Sequence, residues 1–197
     1  MNEQVKNILK KIDELEQKLK DELQKDDKPF IDFELIGKKI CFRKDIIKEQ
    51  QKELKNVWRY LKEAPLAFIL TAPFIYMLIV PAIILDIFVA IYQTINFPIY
   101  KIPKVKRSDY IVFDRGYLAY LNTIEKINCL YCSYFNGLMA YVSEVAARTE
   151  QYWCPIKHAK KIAYRHSRYN HFLSYGDAKA FREELEKLRE ELQNIDS

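Results

Sequence analysis

Two short spacings in this chain bring soft metal ligands together: Cys129-x2-Cys132 and Cys154-x3-His158. Each pair fits on one side of a helix or turn. Three thiolates and one imidazole match the donor set of a closed tetrahedral zinc site. The pairs meet only if the chain folds back between them. An unbroken helix from Cys132 to Cys154 would hold them about 33 Å apart. Asn136-Gly137 is the expected break, and a second subunit supplying one pair is the other route. Two more readings use the same residues. Reduced cysteines pack like small apolar side chains. Cys129 and Cys132 also have the spacing of a thiol redox pair, although the Leu130-Tyr131 between them matches no redox fingerprint.

Other chemically capable residues give weaker patterns. Glu144 and Glu150 lie near one another, and Arg148 between them is expected to form ion pairs there; they lack the E-x-x-H spacing of di-iron helical bundles. His166 and His171 sit among tyrosines, where surface or headgroup contact is expected. No phosphate loop, Ser-His-Asp order or H-E-x-x-H occurs. Three functional classes stay open: a scaffold stabilised by zinc, a membrane-surface enzyme using the Cys/His cluster with Glu144 or Glu150, and a thiol redox protein.

The element that must position these residues is the stretch from Ala64 to Tyr100, which carries a single charge, Asp86. Ala64 to Leu85 is uncharged throughout, longer than the roughly 18 residues that mark a membrane segment. A soluble core helix of that length would show polar residues every third or fourth position. Pro73 and Pro81 favour kinks. Lys52, Lys55, Arg59 and Lys62 precede the stretch, and Lys101, Lys104, Lys106 and Arg107 follow it. With both flanks basic, the positive-inside rule favours neither orientation of a single pass. A re-entrant wedge bent near Pro81 and one tilted helix from about Phe68 to Ile91 both remain. Asp86 is costly in lipid and is expected at the interface or facing protein.

The net charge of +5 is unevenly spread. Residues 1–63 carry +2, residues 64–100 carry −1, residues 101–176 carry +7 and residues 177–197 carry −3. Positive charge just after an apolar segment suits anionic lipid headgroups. No nucleic-acid motif accompanies it, so nucleic acid is not an expected partner. The N-terminus has no apolar core or cleavage site of a secretory signal. The four cysteines are accordingly expected as thiols or metal ligands.

These charge blocks match four segments. In residues 1–63, Val5, Ile8, Ile12, Leu15 and Leu19 form a helical stripe, which packs on its own chain or pairs residues 5–23 with a second copy. Two β-rich runs flank Gly37-Lys38, giving a hairpin with Leu35 opposite Ile40 and Cys41 on the polar face. Asp45–Glu63 follows as a surface helix. Residues 64–100 are the membrane segment. Residues 101–176 form a basic helical domain. It has one helical region over Tyr117–Tyr152, capped by Ser108 or Asp109, and another starting at Cys154-Pro155. The uncharged run Ile127–Ser143 is short for a second membrane pass and suits a buried soluble helix better. Residues 177–197 form an amphipathic helix with Phe181, Leu185, Leu188 and Leu192 inward. The expected fold is mainly α, with a kinked or re-entrant membrane-embedded segment, a cytoplasmic helical domain and one small N-terminal β-hairpin.

The run AARTEQYWCPIKHAKK, preceded by the C-x-x-C helix and followed by RYNHF, resembles an uncharacterised family of small bacterial membrane-associated proteins. Arg148, Thr149, Glu150, Gln151, Trp153, Cys154, Pro155 and His158 carry the likeness, with Cys129 and Cys132. It covers about residues 80–182. The resemblance implies a bacterial inner-membrane setting and no particular activity.

Overall fold

The computed structural model describes residues 7–8, 11–12, 14–15, 17–19, 21–22, 33–36 and 39–194. The chain divides into two compact units, Met1–Glu49 and Gln50–Ser197.

In the first unit the described residues between 7 and 22 are helical. Ile8, Ile12, Leu15 and Leu19 are all exposed; Val5, the first residue of the expected stripe, lies outside the described residues. Strands β1 (Glu34–Ile36) and β2 (Lys39–Cys41) pair antiparallel, with Glu34 opposite Cys41, Leu35 opposite Ile40 and Ile36 opposite Lys39. The joining residues, Gly37-Lys38, lie outside the described residues. Phe33 and Phe42 meet edge to face, 6.1 Å between ring centroids.

The single helix expected over Asp45–Glu63 is two: α1 (Lys44–Lys52) and α2 (Val57–Glu63). Asn56 starts the second, its side chain accepting the Trp58 N–H at 2.9 Å. A short amide that bonds its own backbone competes with helix continuation.

The apolar stretch forms α3 (Leu66–Met77) and α4 (Ile79–Tyr100), joined through Leu78 alone. Leu78 keeps a helical conformation (φ −65°, ψ −14°), so the two run on as one 35-residue helix. The interruption falls where Pro81 dictates. Its ring offers no N–H to the Met77 carbonyl and crowds it. This helix is long and apolar enough to cross a membrane. No residue of α3 is buried. In α4, Ala82, Gln93 and Phe97 are buried against protein, while Val80, Ile84, Ile87, Ile91, Ile95 and Ile99 are exposed.

Lys101 ends α4 in the left-handed region, φ 56°, and the chain turns back. The strap from 101 to 122 leads into α5 (Thr123–Trp153). Asn122 caps α5 by accepting the Ile124 and Glu125 N–H groups, and Glu125 returns a bond to the Asn122 N–H. This is a capping box, and it replaces the expected cap at Ser108 or Asp109 and the expected start at Tyr117. Contacts between α4 and α5 advance together: Asp86 with Tyr134, Gln93 with Tyr141, Tyr100 with Tyr152. The two helices therefore run parallel, which the long strap permits. The strap descends between them. Gln93 holds it in strand fashion, accepting the Val105 N–H at 2.8 Å and donating to the Val105 carbonyl at 3.1 Å.

Asn136-Gly137 does not break α5, which continues through both residues. A Cβ on Gly137 would stand 2.5 Å from the Tyr110 carbonyl oxygen and 2.9 Å from the Ile111 Cα. The glycine admits the strap's backbone against the helix, a packing demand rather than a turn signal. Nor does Cys154-Pro155 start a helix. Cys154 is the C-cap of α5, and Pro155 ends it. The chain then runs irregularly, bridges Ile156 to Leu173, and forms a short turn of 3-10 helix at Ser167–His171. Helix α6 (Ala178–Gln193), capped by Asp177, packs on α5 through buried Leu188 and Leu192. The core gathers Phe97, Ile102, Val105, Ile111, Leu138, Tyr141, Val145 and Leu192 from α4, the strap, α5 and α6.

Candidate functional site

Because α5 is unbroken, the two ligand pairs stand at its opposite ends. Cys129 and Cys132 lie in its second and third turns and Cys154 at its C-terminus. The helical rise separates Cys132 from Cys154 by about 33 Å. Cys129, Cys132, Cys154 and His158 therefore do not meet within one chain. Among the described residues, no three His, Cys, Asp or Glu side chains are close enough to share a metal ion. The cysteines are free thiols, with Cys132 and Cys154 exposed and Cys129 and Cys41 half-buried. Partial desolvation at the end of α5, helped by the Glu150 charge, pushes the Cys154 thiol above its ordinary pKa, which favours the protonated form over the thiolate that a metal or a redox partner needs. His158 turns elsewhere: its backbone N–H donates to the Tyr169 hydroxyl at 2.7 Å, and its ring lies 6.1 Å from that of Tyr169.

What α5 does bring together is a polar seam along its second half. The Glu144 carboxylate accepts from Arg148, one turn on, at 2.9 Å and from Arg168, in the loop after α5, at 2.7 Å. Arg148 also donates to the Pro103 carbonyl in the strap at 2.7 Å. Arg168 reaches the Gln151 side-chain oxygen at 3.2 Å, and the Gln151 amide donates to the Leu188 carbonyl of α6 at 3.1 Å. Thr149 shares a hydrogen bond with Tyr92 of α4 at 3.0 Å, and Glu150 lies 3.0 Å from His166 Nε2. Desolvation pushes the Glu144 pKa up, but the hydrogen bonds and charges of Arg168 and Arg148 outweigh it and hold the carboxyl below the usual range. Each polar residue of the R-T-E-Q run thus ties α5 to a different element. The Glu144 carboxylate is held by two guanidinium groups that converge on its Oε1, a holding arrangement.

A separate ion pair lies in the first half of α4. Asp86 accepts from Arg107 of the strap at 2.7 Å and from the Tyr134 hydroxyl of α5 at 3.0 Å. The charge expected at an interface or against protein faces protein.

Near the start of α5 the surface is open and apolar. A groove of about 680 Å³ lies between α2–α3 and α5, lined by Leu61, Phe68, Ile75, Tyr76, Asn128 and Tyr131 among others. Tyr76 bonds Asn128 across it, and the Tyr131 hydroxyl donates to the Ile75 carbonyl at 2.9 Å. An adjoining cavity of about 430 Å³ is lined by Ile79, Ile83, Phe113, Ile127 and Leu130 with Tyr76, Tyr131 and Tyr134.

Sequence reasoning anticipated that Arg148 forms ion pairs with a neighbouring glutamate. It missed Arg168, Gln93 and the Asp86–Arg107 pair as tie points. Asp86 and Gln93 did leave a signal: seven apart, they mark one side of a largely apolar helix. Comparison of the chain with family models, with curated proteins and with solved structures finds no match.

Proposed function

We propose that this is a membrane-anchored protein, with α3 and α4 embedded in the inner membrane of a bacterium and the helices α5 and α6 forming a cytoplasmic domain with a scaffold or interaction role. One observation carries the reading. Only 6% of the most apolar 18-residue window of the Leu66–Tyr100 helix is buried. A soluble protein's core helix would be covered, and a cleaved signal would stand at the N-terminus rather than begin at residue 66. Exposing this much contiguous apolar surface to water is rare in soluble monomers. The basic strap residues Lys101, Lys104 and Lys106 are exposed and suited to anionic headgroups. The exposed stripe Ile8, Ile12, Leu15 and Leu19 offers a means of self-association through residues 5–23. Zinc on Cys129, Cys132, Cys154 and His158 would then have to join two chains. Carbonate extraction of membranes from cells expressing the full chain tests the anchoring. The protein stays in the membrane pellet; recovery in the soluble fraction removes the basis of the proposal.

A further inference from the structure

We infer that the α3–α4 helix lies in one leaflet, with its outer stripe in lipid, and does not cross the bilayer. The inference rests on the membrane reading above and concerns how the helix sits. A hydrocarbon core of about 30 Å takes about 20 helical residues. Within Leu66–Tyr100 one span of that length, Leu66–Leu85, avoids Asp86; every other includes it. The spans that include Asp86 also bring in Arg107, paired to it, and with Arg107 the exposed Ser108 and Asp109. Leu66–Leu85 includes Tyr76, which bonds Asn128. Glu125 and Lys126 precede Asn128 by less than a turn and are only partly buried. Since α4 and α5 run parallel, these charges cannot be displaced along the axis from the apolar residues beside them. An upright crossing therefore draws charged, solvent-facing groups to hydrocarbon depth wherever it is placed, which the bilayer disfavours.

An in-plane helix removes the conflict, because the charges lie to one side of α4 and not above or below it. Ala82, Asp86, Gln93 and Phe97 face protein, and Val80, Ile84, Ile87, Ile91, Ile95 and Ile99 face away. The two stripes differ in side, as in helices that rest at an interface. The outward surface continues past α4: Ile79 and Ile83 share an apolar cavity of about 430 Å³ with Phe113, Ile127 and Leu130. Exposed Trp58 and Lys62 stand before the helix, and exposed Lys101 and Lys104 after it. Amphipathic and basic side chains at both ends suit two ends that meet headgroups on the same side. The occupant of the surface is therefore one anionic leaflet.

The test uses the full chain with its four cysteines replaced by alanine, carrying Lys62→Cys or Lys104→Cys. Intact and lysed cells are treated with a membrane-impermeant maleimide. The two positions respond alike, both labelled or both protected in intact cells, and both labelled after lysis. A fluorophore on Ile84→Cys in phosphatidylcholine–phosphatidylglycerol vesicles is quenched more by spin labels near the headgroup than by labels near the acyl terminus. Protection of one position with labelling of the other overturns the in-plane placement and leaves the anchoring intact, as does strongest quenching by the deep label. Failure of the protein to sediment with membranes, together with no quenching by either label, overturns the anchoring itself.

Discussion

The two halves of α5 are one helix in two environments. In the second half, Glu144, Arg148, Thr149 and Gln151 each bond another element, and Leu138, Tyr141, Val145 and Ala147 are buried. In the first half, Ile127 and Leu130 are exposed beside open grooves, and two tyrosine hydrogen bonds and the Tyr76–Tyr131 ring contact reach α3. The difference teaches where folding ends and docking begins. The C-terminal half is closed by protein, and its polar groups are spent within the chain. The N-terminal half, with α3 and the outer side of α4, leaves apolar surface that protein does not cover. The chemistry the Cys/His spacings promised is split by the same helix between the two environments.

The comparison breaks most readily at Glu144. Glu144→Ala takes the carboxylate from two largely buried guanidinium groups, and losing one side of a buried ion pair costs about 3–5 kcal/mol. Thermal unfolding in detergent should fall accordingly, and proteolysis should open the loop carrying Arg168. An unchanged transition would mean that the seam does not close this half. Phe97→Ala, at a fully buried position, should cost a similar amount, about 3–5 kcal/mol, through its cavity. Gly137→Ala should cost about 1–3 kcal/mol, because backbone and not a flexible side chain blocks the new methyl.

Acid should act in the same place more gently. The Glu144 pKa is depressed in the folded state. Its contribution is therefore complete above the ordinary glutamate range and is lost as pH falls through the lower folded value. Protease sensitivity of residues 154–173 should rise in that acid window and not near neutrality; Glu144→Gln should remove the pH dependence. The smallest effect belongs to the cysteines. Cys132→Ala and Cys154→Ala, singly or together, should change unfolding by less than about 0.5 kcal/mol, as surface substitutions do. A large, equal loss from both would restore a shared metal, and with α5 unbroken that metal would have to bridge two chains.

The apolar stretch was legible because uncharged length is a property of sequence alone, and the inward stripe of α6 because its spacing is regular and its far side charged. The pairing of α4 with α5 was not. A strap of irregular backbone joins them, and nothing in its composition announces that Gln93 will hold Val105 or that Arg107 will reach Asp86. Gly137 was visible but ambiguous: the same residue serves as a break or as a place of close approach, and only the Tyr110–Ile111 backbone decides. Asn136-Gly137 read as a turn carried the zinc expectation with it. In the candidate site, Arg148 could be paired with its helical neighbour from spacing, whereas Arg168 lies in a loop whose course no periodicity predicts.

The central claim is that one surface of this chain is solvated by lipid and the other by protein. A lipid-soluble carbene probe, activated in membranes containing the full chain and mapped by mass spectrometry, tests it directly. The account predicts modification of α3 and of Ile84, Ile87 and Ile91, and none at Phe97, Leu138 or Val145. Absence of label from 66–91, or equal label on the second half of α5, would contradict it.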